Sequence, residues 1–242
     1  MKRWILLLCC ILLALSVTGC TGENSSSGSS SGLSSSQTQL QEDPADPETA
    51  VALELVAEAD CEVPDFLTEE QQTLYRKAYT AYKQFALYTD GFGSTEYNPV
   101  TMEEYDNSFY VGNGSITTWK NYETAMLGLF TPDYLEELNF MVIELEDGTT
   151  LRYAHFADYQ GQLAFSDGAR GSNITYLGPD TFELISQTED EIRFYVIGTY
   201  QDYVENEAGE LVQEGEITQQ KYEIVLTHTE NGWRFSQFAL TI

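Results

Sequence analysis

Residues 131–155 read TPDYLEELNFMVIELEDGTTLRYAH, and within them the period of the chain changes. Thr131-Pro132 is a helix start: a capping hydroxyl, then proline in the first turn, where its missing N–H is not needed. The helix it opens is expected to end at Asn139. From Phe140 the apolar positions recur every second residue. Met141, Ile143 and Leu145 alternate with Val142 and Glu144, and Asp147-Gly148 is a hairpin signal. Leu151, Tyr153 and His155 share one face of the return strand. Helical segments precede this point and strands follow it. The order predicts an α+β domain with N-terminal helices packed on a curved antiparallel meander.

Working upstream, the spacing predicts a helix from Thr68 to Thr89. Thr68 and Gln71 form a capping-box pattern. Leu74, Ala78, Tyr82 and Phe85 recur at helical spacing and read as its inward stripe. Asp90-Gly91-Phe92-Gly93 stops it, because glycine accepts the left-handed conformation. A second helix is expected from Thr118 to Phe130, with Tyr122, Met126 and Leu129 inward. Ser108–Val111 between them reads as a strand or an extended link.

Downstream, short strands are expected at Gln162–Phe165 and Thr181–Thr188. A long one follows over Ile192–Val204, with Ile192, Phe194, Val196 and Tyr200 on one face. Glu216–Thr229 has Tyr222, Ile224 and Leu226 inward, and Asn231-Gly232 is the strongest hairpin signal in the chain. The last strand is expected to run to Ile242. Trp233 and Phe235 share one parity there, while Phe238, Leu240 and Ile242 share the other. A one-residue slip flips faces, so a β-bulge near Ser236-Gln237 is needed to keep one face buried.

The N-terminus reads as an export signal. Lys2 and Arg3 precede an apolar run, Ile5–Val17, of 13 residues. That is a signal h-region, too short for a spanning helix of about 20 residues. The run closes on Val17-Thr18-Gly19-Cys20, which resembles the bacterial lipobox. The resemblance implies cleavage after residue 19 and a diacylglycerol on the Cys20 sulfur. Residues 20–48 then form a tether, with nine serines between Ser25 and Ser36 and almost no apolar surface to offset the entropy of ordering. Residues 49–65 suit a short helical extension, and 66–242 a single domain. The expected location is extracytoplasmic, on the cell membrane through the lipid alone.

The mature chain keeps all 39 acids and loses Lys2 and Arg3. Nine cations then face 39 anions, a net charge of −30. Nucleic acid is excluded as a partner, because phosphate binding needs clustered cations. A basic protein at the cell surface suits the charge, as does plain solubility. Cys9 and Cys10 leave with the signal and Cys20 carries lipid. Cys61 therefore remains as a lone thiol between Asp60 and Glu62, which reads as inert.

Catalytic patterns are lacking. The two histidines, His155 and His228, fall in strand patterns, and no zinc motif, nucleophile elbow or phosphate-binding glycine loop occurs. Acid pairs are too abundant to single one out. No catalytic residue, metal or cofactor is expected, and the chain reads as a binding protein rather than an enzyme. Loops at a sheet edge are the natural contact sites. The choice falls on Asp158, Tyr159, Asp167 and Arg170, which flank Gln162–Phe165.

Four phrases carry a wider resemblance: LTEEQQTLYRKAYTAYKQF, FYVGNGSITTWKNYETAMLGLFTPDYLEEL, LAFSDGARGSNITYLG and the closing meander. Over residues 66–242 the chain resembles a family of Gram-positive exported inhibitors of cell-wall DL-endopeptidases. The lipobox and serine tether depart from that family's pattern. The resemblance implies a non-enzymatic protein that blocks an NlpC/P60-type peptidase, with a protein partner, an acidic contact surface and no cofactor; a monomer is expected. The rival is a cystatin-like or NTF2-like cone holding a small ligand, or a scaffold in the envelope. A sheet face filled by Tyr82, Phe85, Phe194 and Tyr222 favours the inhibitor or a scaffold; an open pocket of several hundred Å3 favours the ligand.

Overall fold

A computed structural model describes residues 61–166, 168–169 and 171–242. Cys20, the signal and tether, the helical reading of Thr49–Asp60, and Asp167 and Arg170 lie outside the described residues. The elements in chain order are α1 (Glu69–Ala86), β1 (Tyr88–Thr89), β2 (Asn98–Val100), β3 (Phe109–Val111), α2 (Trp119–Leu127) and α3 (Pro132–Asn139). Then come β4 (Phe140–Glu144), β5 (Thr150–Ala154), β6 (Phe156–Tyr159), β7 (Gln162–Ser166), β8 (Gly168–Ala169) and β9 (Thr181–Gln187). β10 (Glu191–Gln201), β11 (Val204–Glu205), β12 (Leu211–Val212), β13 (Ile217–Thr229) and β14 (Gly232–Gln237) complete the chain. The domain is α+β, with three helices and several antiparallel sheets among the described residues.

The capping box forms as read. Thr68 Oγ1 accepts from the Gln71 N–H at 3.3 Å, and Gln71 Oε1 accepts from the Thr68 N–H at 3.0 Å. The inward stripe of α1 is rotated from the expected one. Tyr75, Ala78, Ala81 and Phe85 are buried, while Leu74 and Tyr82 are half-buried at its margin. α1 also ends earlier than expected, at Ala86. Tyr88-Thr89 pairs with β8 instead of continuing the helix, and the turn at Asp90 follows only after that. Strand pairing captures these two residues before the glycines are reached.

In place of one meander, the described strands divide between two four-stranded sheets and three two-stranded ones. The first sheet, β14-β13-β10-β9, is the true meander. Ile192, Phe194, Val196, Ile224, Leu226 and Phe235 fill its inner face against α1. Its outer face carries ion pairs, Arg193–Glu223 at 2.8 Å and Lys221–Glu183. The bulge sits where the parity demanded it. Val225 pairs with Gln237 and Leu226 with Phe235, so Ser236 is the extra residue, and both Phe235 and Phe238 enter the core. Regular pairing ends at Gln237, not Ile242. Tyr134 on α3 takes over, its hydroxyl donating to the Phe238 carbonyl (2.7 Å) and accepting from its N–H (2.8 Å).

The second sheet, β2-β3-β7-β6, is buried on both faces of its centre. Leu163, Phe165 and Phe156 join the main core, while Ala164, Ala157 and Phe109 form a smaller cluster behind it. Tyr75, 1% exposed, joins the layers. Its ring lies within 6.5 Å of those of Tyr79, Phe182, Phe194, Phe235 and Phe238.

Phe194→Ala and Phe85→Ala are each expected to cost about 3–5 kcal/mol in chemical denaturation, since both rings are buried in the main core, Phe194 against Tyr75 and Phe85 against Phe156. A polar network closes the C-terminus: Asp180 Oδ1 accepts from Tyr176 (2.8 Å) and Thr241 (2.6 Å). Burial raises the Asp180 pKa above its ordinary 3.8, against those two hydrogen bonds. The folded chain therefore holds this proton more tightly than the unfolded chain. Its contribution to stability falls as pH rises from near 3.8 through the raised value. Asp180→Asn keeps the acceptor oxygen and removes the charge. The variant is expected to be the more stable at neutral pH, with the two denaturation curves converging as pH falls below 3.8.

Candidate interaction surface

β4 and β5 form a two-stranded hairpin of their own, in full register from Phe140↔Ala154 to Glu144↔Thr150. The alternation read from the sequence is present, but no element among the described residues covers the apolar face it defines. Met141 and Ile143 are each 38% exposed, and Val142 and Leu145 more so. The edge of β5 is closed: the Arg152 N–H donates to Asp106 Oδ2 (2.6 Å) and the Ala154 N–H to Asn107 Oδ1 (3.2 Å). The outer edge of β4 pairs with no strand among the described residues. Glu144, Glu146 and Asp147 make the tip acidic. Asp147 Oδ1 accepts from the Thr149 N–H at 2.9 Å, which holds its carboxyl below the ordinary range.

Beneath the hairpin lies an open cleft of about 310 Å3, lined by Met141, Ile143, Tyr153, His155 and Ser166 among others. His155 is half-buried and engaged. Its Nδ1 is 3.1 Å from Thr89 Oγ1, and its ring meets Phe85 edge-on. It anchors the β5–β6 junction to β1.

Asp158 and Tyr159 sit at the turn end of the β6–β7 hairpin. Gln160 (φ 56°) and Gly161 (φ 85°) make the turn, and Asp158 Oδ1 accepts from the Gly161 N–H at 2.6 Å. Asp158 is exposed; Tyr159 is half-buried against the smaller cluster. Gly168 and Ala169, the described residues beside Asp167 and Arg170, lie past the opposite end of β7. Asp158 pairs with Leu163, so about five residues, roughly 16 Å of strand, separate the two ends. The fold thus brings Asp158 and Tyr159 together and sets the 168–169 end apart from them.

Asp158 belongs instead to a different neighbourhood. The β6–β7 turn receives the start of α2: the Trp119 N–H donates to the Gly161 carbonyl (3.1 Å), and the Leu163 N–H to that of Thr117 (2.9 Å). The Trp119 ring packs at a tilt on that of Tyr122, with centroids 5.0 Å apart, and Tyr122 likewise on Phe156 at 4.9 Å. Tyr122 is buried, yet its hydroxyl has no hydrogen-bond partner among the described residues. Burial, then the charge of Glu123, pushes its pKa far above the phenol range. The sequence marks Tyr122 as inward but gives no sign of the unmet hydroxyl.

Cys61 is buried, and Arg76 lies against it, donating to its carbonyl at 2.9 Å with the Sγ at 3.9 Å. Its sequence neighbours are acidic; the fold supplies a cation that they do not. Among the described residues no group of three or more His, Cys, Asp or Glu side chains is placed to hold a metal. No helix among them is long and apolar enough to cross a membrane. No model of a known protein family matches the chain, and no curated protein matches it.

A buried hydroxyl without a partner costs about 1–3 kcal/mol of desolvation. Tyr122→Phe removes it at nearly constant shape. The variant is expected to gain about 1 kcal/mol in unfolding free energy, read as a shifted denaturation midpoint at constant m-value.

Proposed function

We propose that this chain is an exported binding protein, tethered to the membrane through Cys20, that inhibits a peptidoglycan DL-endopeptidase without catalysing a reaction itself. The observation that carries the reading is the β4–β5 hairpin. It offers Met141, Ile143 and Leu145 to solvent on one face, with Val142 exposed on the other, beside an acidic tip and an open strand edge. Contiguous exposed apolar surface of this kind marks a protein contact. Apolar anchors within a charged rim supply affinity, and the charge supplies the association rate.

The filled main core favours an inhibitor or a scaffold over a ligand-holding domain, and the exposed hairpin favours the inhibitor of the two. We read α1 on the β9–β14 sheet as a cystatin-like or NTF2-like cone, and its inner face is occupied by Tyr75, Phe194, Phe235 and Phe238. Tyr82 and Tyr222 pack at its margin. The clefts lie elsewhere, at the surface. The resemblance over residues 66–242 supplies the enzyme class, and the charge of the chain suits a basic rim around that enzyme's cleft.

The test is cleavage of a peptidoglycan stem peptide by NlpC/P60-type enzymes of the host, with and without the full chain. Inhibition at micromolar concentration is expected, with association slowing as added salt shortens the screening length below its physiological value of about 8 Å. Met141→Ser/Ile143→Ser is expected to weaken inhibition about 30-fold, the effect of losing roughly 2 kcal/mol at a contact centre, with folding intact because both residues are exposed. Failure to inhibit any such enzyme ends the reading. Inhibition that survives the double change moves the contact off the hairpin.

A further inference from the structure

The strongest unassigned feature is the notch where α2, α3 and β6 meet. Two adjoining clefts, of about 420 and 320 Å3, share Trp119, Glu136 and Asn139. Glu104 and Asp158 line the first, and Tyr122 and Glu123 the second. None of these four carboxylates forms an ion pair with a described residue. One cation lines the notch, Arg152, and its guanidinium is held over the Phe140 ring at 5.1 Å. Asn139 is already spent, bonded through both side-chain atoms to the Phe156 backbone at 2.8 Å.

We propose that this notch receives an arginine side chain of a protein partner. A guanidinium is planar, stacks on an aromatic face and forks to a carboxylate. Trp119 supplies the face, fixed by its backbone bond to the β6–β7 turn and by packing on Tyr122. Glu136, shared by both clefts, supplies the fork, and Glu104, Glu123 and Asp158 the surrounding negative field. The Tyr122 hydroxyl is the second, independent observation. Tyr122 is fully buried and lines the second cleft, its hydroxyl has no hydrogen-bond partner among the described residues, and a phenol oxygen has lone pairs to accept an N–H. A guest that donates meets that need; a carboxylate or phosphate guest would meet four anions.

The inference deepens the inhibitor reading by naming the residue type it would grip, and it can fail separately. The probe is tetra-arginine peptide titrated into the full chain in detergent, followed by the indole N–H resonance of Trp119. The expected result is a saturating shift of that resonance. Glu136→Gln is expected to weaken binding about tenfold, and Tyr122→Phe several-fold with its thermal midpoint held or raised. Glu205→Gln/Glu207→Gln, on the distant β11–β12 hairpin, is expected to leave binding unchanged. An unshifted Trp119 resonance overturns the proposal. So does an equal loss from the distant double change, which would make the attraction mere net charge. A neutral N-acetylglucosamine oligomer that shifts Trp119 where tetra-arginine does not also overturns it, in favour of a sugar subsite. Enzyme inhibition without tetra-arginine binding sinks the notch and spares the inhibitor reading. Binding at Trp119 without inhibition of any endopeptidase does the reverse.

Discussion

Everything in the fold leans on the aromatic packing around Tyr75. One ring on α1 touches rings from β9, β10, β14 and the segment after it. Such contacts add about 0.5–1.5 kcal/mol each beyond the area they bury, and they prefer the tilted and edge-on geometries found here. The helix and the meander are thereby committed to one another at a single depth. The Ser236 bulge follows from that commitment. Without the extra residue, Phe238 would face solvent and the cluster would lose its last wall. Tyr134 then secures the turn out of β14 by bonding both backbone groups of Phe238, which ties α3 to the same centre.

The features legible in the sequence are the ones set by a few neighbouring residues. The capping box at Thr68, the proline start at Pro132, the Asn231-Gly232 turn and the bulge near Ser236 each follow from steric and hydrogen-bonding rules over four or five positions. The rotated stripe of α1 was harder. Leu74 and Tyr75 are adjacent and both apolar, so spacing alone does not choose between them, and the meander's ring positions do. The division into two sheets depends on Phe109 pairing with Ser166, a contact across 57 positions of chain that no local period encodes.

The interaction surface was legible only in part. Alternation told that Met141 and Ile143 share a face, but a period reports the face and not what covers it. Asp158 was singled out as a loop acid, and the fold sets it in a notch built from positions 104, 119, 122, 123, 136 and 158. Those residues come from two helices, a loop and a strand. Nothing in their spacing joins them until the β6–β7 turn has docked on the start of α2. The unmet hydroxyl of Tyr122 was invisible for the same reason.

The uncovered edge of β4 also bears on how the protein behaves in bulk. An open apolar strand is a template for pairing with another strand, including the same one in a second molecule. Here each approaching copy would bring Glu144, Glu146 and Asp147 with it, on a chain of net charge −28. Colloidal dispersion therefore rests on electrostatic repulsion guarding a sticky edge, not on the edge being blocked. That guard weakens as the solution nears the isoelectric point of about 4.1, where the hairpin becomes the natural seed of precipitation.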